Sequence, residues 1–568
     1  MKLTDLLALT LKNNKVHHVF GLQGGAVVHI FDSLERAGVG VTYTHHEESA
    51  SLAAVAHSKV TGNLGCVVVT SGPGATNAIT GCLAAWQDSI PVIFISGQVR
   101  AKHTSYGRKV RQVGTQEVNI CDIVRPITKY CKFIESKNDF DFELRKAIGI
   151  AENGRPGPVW LDIPVDLQWM DIESFDDSEV KGQKFELKAS EYIPSLAILS
   201  NAIKPLLVLG YGVRLSGAYE QIKKLINSHS IPFVTTWTAA DLFPTSHFLN
   251  MGIIGMSGQR GANQIMHDAD VIVCLGTHLS IPHTTTLFDD YAPQSQKIIV
   301  NIDQDQLDNL NVNFDVKIHS DLHVYLEWLL SQRLKKYHWP HLNLYKERNW
   351  YAPTQRKHPN SNIYIHRLTE VQKEPACIVV DGGGTALYAG FQSSVFKEGD
   401  RVICSSAISA MGTGLAEVIG VSAANMFPKI FCIIGDGSFL MNVQDLQTIS
   451  QNKINVVISV INNNGYAAIR HTQKDFLEGR YYGTHPMWSL QMPSIQKIAE
   501  AFEIAYKKLD HPENMEAFIN SLNELNGPVI CEIVVDEDQA VLFKQGYKAN
   551  QNGTFSPQPL SDMTLDLL

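Results

Sequence analysis

The chain contains no run of about 18 consecutive apolar residues, which argues against a membrane-spanning helix. It also has no block of positive charge. The richest basic stretch, RLKKYHW from Arg333, reads as the solvated end of a helix, and a formal charge of −9 speaks against nucleic acid as a partner. No C-x-x-C pair occurs. Nine cysteines, an odd number, lie scattered from Cys66 to Cys531, many of them inside apolar runs such as LGCVVV and IFCIIG, so buried reduced thiols are expected. The opening MKLTDLLALTLKNNKVHHVF has its apolar part broken by Asp5 and closed by Lys12, with no small-residue cleavage site. A secretory signal is not expected, and a cytoplasmic location is.

What is present is an ordinary packed composition, 44% hydrophobic and 18% charged. At 568 residues the chain is too long for one core, and a prior of roughly 150 residues per domain gives three or four units. Two polar connections, DIESFDDSEVKGQKFELKAS (171–190) and SQRLKKYHWPHLNLYKERNWYAP (331–353), separate three blocks at 1–172, 190–332 and 354–568. Each block alternates apolar strand runs with helical stretches, so the expected fold class is α/β, three domains, each a parallel sheet flanked by helices.

The outer blocks echo each other. Residues 66–98 and 432–464 both read as buried strand, glycine turn, helix and buried strand, which suggests two related domains with a different sheet between them. Ligands of open parallel sheets bind at the carboxyl ends of the strands, so both glycine turns are candidate ligand edges.

In the third block, IIGDGSF sets Asp436 between Gly435 and Gly437 after a buried strand, and NVVISVI runs into NNNGY. Asn463 follows Asp436 by 27 residues, about the length of a helix plus a strand returning to the same sheet edge. A carboxylate, a carboxamide and the backbone carbonyl of Gly465 suit a hard cation such as Mg2+ that bridges phosphates. Gly435 and Gly437 let backbone amides approach those phosphates closely. Taken alone, Gly-Asp-Gly reads more readily as a tight turn, and it is the asparagine cluster at this distance that favours the cation.

In the first block, VTYTHHEESASLA (41–53) gathers His45, His46, Glu47 and Glu48. Read as extended strand, neighbours point to opposite faces, so the four should not converge on a metal.

The spacing of Gly-Asp-Gly and the asparagine cluster resembles the diphosphate and metal signature of thiamine-diphosphate-dependent enzymes, and the rest of the chain follows the acetolactate-synthase-like branch in order. That resemblance implies a pyrimidine-binding first domain, a central domain, and a third domain that binds thiamine diphosphate and Mg2+ through Gly435, Asp436, Gly437, Ser438, Asn463 and Gly465. HHEESASLAAVAHSKVTG resembles the family's glutamate segment, with Glu47 at the matching position. There the carboxyl hydrogen-bonds the aminopyrimidine N1′ and starts the proton relay that activates the thiazolium C2 carbon. VFGLQGGAVVHIFDSL places Gly24, Gly25, Ala26 and Val27 at the glycine turn near the cofactor. GTQEVNICDIVRPITKY places Gln116 and Lys129 beside the active site. DGGGTALYAG matches the diphosphate loop at Gly383, Gly384 and Thr385. SAMGTGLAEVIG, from Ser409, matches the segment whose methionine, here Met411, wedges between the cofactor rings. Methionine is also an ordinary core filler.

The middle block, with Gly210-x-Gly212, resembles the flavin-holding domain of acetolactate synthases, which implies FAD as a further cofactor. It departs from that pattern where those enzymes carry Ala-Arg-Phe-Asp-Asp-Arg and this chain has THLSIPH. After the implied metal loop, Ala468 and Thr472 stand where the family usually has methionine and tryptophan, exchanges that remove volume and either widen the acceptor pocket or leave it to be filled by another element such as FLEGRYYG (476–483). The resemblance therefore implies a carboligase that decarboxylates pyruvate or a close relative and passes the two-carbon unit to a ketone or 2-keto acid, with a nucleotide-linked keto sugar as a bulky candidate. Gln116, backbone groups and His471 are candidates to steady the new alkoxide, although a solvent-facing role for His471 stays open. A 2-keto acid decarboxylase and a non-catalytic relative are the alternatives. In the family the site is shared between subunits, so a homodimer or homotetramer is implied. The C-terminal tail reads either as a cover over the site or as a loose end.

Overall fold

The computed structural model describes residues 1–172, 185–350, 356–539, 541–550 and 554–565. Most of the first polar connection, and residues 351–355 of the second, lie outside the described residues.

Three six-stranded parallel sheets organise the chain. The first contains β1 (His18–Gly21), β2 (Gly40–Tyr43), β3 (Gly65–Val69), β4 (Val92–Gln98), β5 (Tyr130–Phe133) and β6 (Val159–Pro164), in the order β2-β1-β3-β4-β6-β5. The middle sheet contains β7 (Pro205–Leu209), β8 (Phe233–Thr235), β9 (Asn250–Ile253), β10 (Val271–Leu275), β11 (Gln296–Asn301) and β12 (Val316–His319), in the order β12-β11-β10-β7-β8-β9. The third contains β13 (Cys377–Val380), β14 (Arg401–Ile403), β15 (Ile430–Gly435), β16 (Val456–Asn462), β17 (Ala505–Leu509) and β18 (Val529–Val534), in the order β14-β13-β15-β16-β18-β17.

The first and third sheets share one strand order, which explains the sequence echo between them. The middle order is that of a doubly wound dinucleotide-type sheet, with its reversal between β7 and β10. Central strands such as GCVVV, VIFISGQ and VVISVI are buried along their length, as apolar runs covered by helices on both faces must be. The expected α/β class with three domains is what the chain forms. Among the described residues no helix is long and apolar enough to cross a membrane. All nine cysteines are free; eight are buried and Cys131 is half-buried.

Three readings of the sequence change. Residues 333–349 are not merely a connection or a solvated helix end. Lys335 and Lys336 are exposed, but Tyr337, Trp339 and Leu342 are buried in the core of the middle sheet. The Tyr337 hydroxyl donates to Leu199 O at 2.7 Å, and Trp339 Nε1 donates to Pro205 O at 2.8 Å. The chain between β2 and β3 is also not strand through Glu48, because β2 stops at Tyr43 and Glu47 opens the helix Glu47–Thr61. The tail, finally, folds. Phe543–Lys544 pairs with Thr564–Leu565, Tyr547–Ala549 pairs with Phe555–Pro557, and Phe555 packs edge-on against Phe476 at 5.3 Å.

The tightest meeting of the outer domains is between the helices Glu47–Thr61 and Thr413–Ala423, which occupy the same place in their two sheets, between the second and third strands. A Cβ on Gly420 would stand 2.0 Å from Ala53 O, so the helices touch backbone to backbone. His57 Nδ1 lies 3.2 Å from Gly420 O across the same contact.

Candidate active site

Glu47 is buried, at 8% exposure, and its Oε2 accepts a hydrogen bond from Asn77 Nδ2 at 3.0 Å. The helix N-terminus favours a carboxylate there. His46 is the N-cap, its Nδ1 accepting from Glu48 N at 3.2 Å, while His45 points to solvent. The four polar residues are thus spread around a helix start. Among the described residues no group of three or more His, Cys, Asp and Glu side chains is placed to hold a metal.

Around the glycine turn of the first domain, Ala26 N donates to Thr70 Oγ1 at 3.3 Å, and Val27 is fully buried. A Cβ on Gly24 would strike Thr70 at 2.4 Å, whereas one on Gly25 would meet nothing within 4 Å. The third domain repeats this alternation. A Cβ on Gly383 would strike Met411 at 2.3 Å and one on Gly437 would strike Tyr466 at 2.3 Å, while Gly384 and Gly435 face open space. Each of these three turns therefore leaves one glycine facing open space and packs the other against a neighbour.

At the edge of the third sheet, β15 and β16 are neighbours, with Gly435 in register with Ile461. Asp436 opens the helix Asp436–Met441 at 4% exposure; its Oδ1 accepts from Gly437 N at 3.0 Å and its Oδ2 from Gly465 N at 2.9 Å. Burial pushes its carboxyl up to about 7, against the lowering pull of those two amides and of Arg470. Asn463 Nδ2 reaches Thr385 Oγ1 at 3.4 Å, tying the Asn463–Gly465 loop to the Gly383–Thr385 loop. Gly465 has φ +134, and a Cβ there would lie 2.4 Å from Thr484 O, so only glycine fits. The Gly465 amide brings the Asn463–Gly465 loop against Asp436, and a buried carboxylate driven up by desolvation there fits a divalent cation as counter-charge.

Two residues that the sequence reading passed over hold this edge together. Asp381, fully buried, accepts from Gly412 N and Gly414 N, both at 3.0 Å, and from Gly383 N at 3.3 Å, which fixes the Met411 turn against the Gly383–Thr385 loop. Burial raises its carboxyl to about 6 despite those amides and the Ser438 hydroxyl. An acid at the end of the apolar strand run CIVV was the available signal. Arg470, 5% exposed, donates to Asn463 O at 2.7 Å, Thr484 O at 2.8 Å and Glu537 O at 2.8 Å. No local pattern marks an arginine that serves three distant carbonyls.

Other candidates lie apart from this edge. Gln116 is exposed at φ 61, and its carbonyl oxygen would lie 2.5 Å from a Cβ on Gly72. Lys129 donates to Ile150 O and, at 2.6 Å, to Asn153 O; burial lowers its ammonium to about 8. Lys129 and Ser409 both line a cavity of about 780 Å³ at the carboxyl ends of the middle strands, with Gly210, Gly212, Gly276 and Asp303. The glycines here have a packing role: Gly212 N donates to Gly276 O at 3.0 Å, and a Cβ on Gly210 would sit 2.3 Å from that oxygen. Ala468 is half-buried and Thr472 exposed on the helix Ala467–Leu477; His471 is half-buried.

Two sheets of one strand order, one leading to a buried glutamate at a helix start and the other to a buried aspartate among glycine turns, are the arrangement of an enzyme with a phosphorylated cofactor. Comparison with known proteins agrees. Residues 1–123 match the thiamine pyrophosphate enzyme N-terminal TPP binding domain, residues 195–329 the central domain, and residues 382–533 the C-terminal TPP binding domain. The chain is 30% identical to the acetolactate synthase large subunit of Haemophilus influenzae, over 94% of this chain and 95% of that one. It is 29% identical to acetolactate synthase isozyme 2 large subunit of Escherichia coli, over 93% and 94% of the two chains. To the acetolactate synthase large subunit of Lactococcus lactis it is 29% identical, over 95% and 93%. The chain belongs to the thiamine pyrophosphate enzyme family, in its acetolactate-synthase-like branch of carboligases.

Proposed function

We propose that the protein decarboxylates pyruvate and transfers the resulting two-carbon unit to a ketone or 2-keto acid acceptor larger than a second pyruvate, a nucleotide-linked keto sugar among them. The observation that carries this reading is the pairing of a buried Glu47 at a helix start with the Asp436, Asn463 and Gly465 edge of a sheet of the same topology. Bound thiamine diphosphate supplies the carbon nucleophile and the electron sink for loss of carbon dioxide.

The chain's own groups do the rest. Glu47 passes a proton to the aminopyrimidine N1′. Gly24, Gly25 and Ala26 would line the pyrimidine side of the site, and Met411 would pack against the cofactor. Gly383, Gly384, Thr385, Gly435, Gly437 and Ser438 would receive the diphosphate and Asp436, Asn463 and Gly465 would hold Mg2+, while Ser409 lines the middle cavity instead. Gln116 steadies the alkoxide of the product from the surface loop. Glu47 and Asp436 then work across a homo-oligomer interface. The middle cavity, at the strand-order reversal and about 780 Å³ in volume, is roomy enough for the nucleotide part of FAD. Support for the wide acceptor comes from the helix Ala467–Leu477, which offers Ala468 and Thr472 one turn apart with little volume.

Product analysis tests the proposal. Pyruvate with added ketones should give a carbon–carbon coupled product. Acetaldehyde as the sole product with every acceptor would replace this reading by a simple decarboxylase. Absorbance of the purified protein reads the flavin directly, and sedimentation reads the assembly.

A further inference from the structure

Lys59 lies on the helix that Glu47 begins, with 4% exposure. Its ammonium donates to Asp88 Oδ2 at 2.7 Å and crosses the domain boundary to donate to Cys404 O at 2.7 Å. Glu417, on the helix Thr413–Ala423, has no exposed surface. Its Oε1 accepts from Ser405 Oγ at 2.7 Å, and its Oε2 has no hydrogen-bond partner among the described residues. A lone ammonium therefore sits among acids from two domains, and the two residues it and Glu417 grip, Cys404 and Ser405, are consecutive.

Those two residues open the segment that runs through Ser409 to Met411, and the far end of that segment is held by Asp381 through Gly412 and Gly414. The Met411 turn is thus fixed at one end within its own domain. At the other end it is fixed by a cation brought from the first domain. Burying a carboxylate and an ammonium costs several kcal/mol per ion unless geometry repays it, so a cluster of this kind is weak as a stabiliser and strong as a register device.

We propose that Lys59 and Glu417 are positioning residues for Met411: the ammonium of the first domain and the carboxylate of the third fix Cys404 and Ser405, and thereby set where the methionine stands against the cofactor. The inference rests on the reading of Met411 as the cofactor wedge. The groups that face Glu417 are Lys59 and Asp88 from the first domain, and Asp381 and Ser405 from the third; burial raises the Glu417 carboxyl to about 7, with Lys59 the main opposing influence.

The test uses the full chain with thiamine diphosphate and Mg2+. It reads three quantities: cofactor affinity by tryptophan fluorescence, deuterium exchange at the cofactor C2 carbon, and kcat and KM for pyruvate. Lys59→Met and Glu417→Ala should slow C2 exchange and kcat by about tenfold or more, with KM changed less than about twofold, because a displaced positioning element costs rate more than binding. Glu417→Gln keeps an oxygen for Ser405, so it should restore most of the exchange rate and flatten its pH dependence around 7. Folded variants that exchange at the wild-type rate overturn the inference. Where the first two variants fail to fold, Glu417→Gln decides: an unaltered pH profile from 6 to 8 overturns it. Wild-type protein that binds no thiamine diphosphate removes the functional reading and this inference together, whereas binding with unchanged variants removes only the inference.

Discussion

The guanidinium of Arg470 stands 2.7 Å from the carbonyl oxygen of Asn463 and anchors, from beneath, the loop that carries the candidate metal ligands. A planar fork is needed because the carbonyls of Thr484 and Glu537 are served from the same group.

Arg470→Lys should therefore weaken combined Mg2+ and thiamine diphosphate binding by roughly tenfold, since a point charge cannot meet three directions at once. Arg470→Met should also cost stability of about 2 kcal/mol or more, because buried carbonyls lose their donors. Fluorescence titration and thermal denaturation read the two effects.

Glu47→Gln leaves the shape of the cleft and the contact to Asn77 in place but cannot pass a proton. Turnover should fall by about 10²-fold or more, with cofactor affinity changed little. Undiminished turnover would remove the proton-relay role.

Acid should loosen the first domain through His18. Its ring lies 5.0 Å from Phe20 and 5.8 Å from His57, its Nε2 is 2.7 Å from Thr42 Oγ1, and burial lowers its pKa from 6.5 to about 4. The folded form binds fewer protons than the unfolded one across that window, so stability is full above 6.5 and declines as pH falls toward 4. His18→Gln should flatten this part of a melting-temperature profile. An unchanged slope would assign the acid loss to other groups.

Thr472→Trp refills volume one turn from Ala468. Coupling to bulky ketones should drop by about 10-fold or more relative to coupling with a second pyruvate, the size of discrimination a filled hydrophobic pocket supplies. Competition between the two acceptors in one reaction gives the ratio.

Much of the architecture was legible because buried parallel strands must be apolar throughout, and because glycine turns recur at matched places in the outer blocks. The 27-residue interval from Asp436 to Asn463 worked for the same reason: helix and strand lengths are narrow quantities. Glu47 was legible as a residue but not as a helix start, since the His-His-Glu-Glu run carries no Ser, Thr, Asp or Asn cap and His46 fills that place. Tyr337 and Trp339 hide within a charged run, where composition outvotes two aromatic rings. Lys59, Asp381 and Arg470 act across 345, 31 and 7 residues of chain, and such pairings have no period to betray them.

The bare contact between Gly420 and Ala53 has a further meaning. Two main chains in direct touch form the least adjustable spacer a protein possesses, so the first and third domains of one chain are held at a fixed separation. The helix Ala467–Leu477 lies outside that contact and leaves Thr472 exposed. Substitutions there can alter the choice of acceptor while the machinery that opens the 2-keto acid keeps its dimensions.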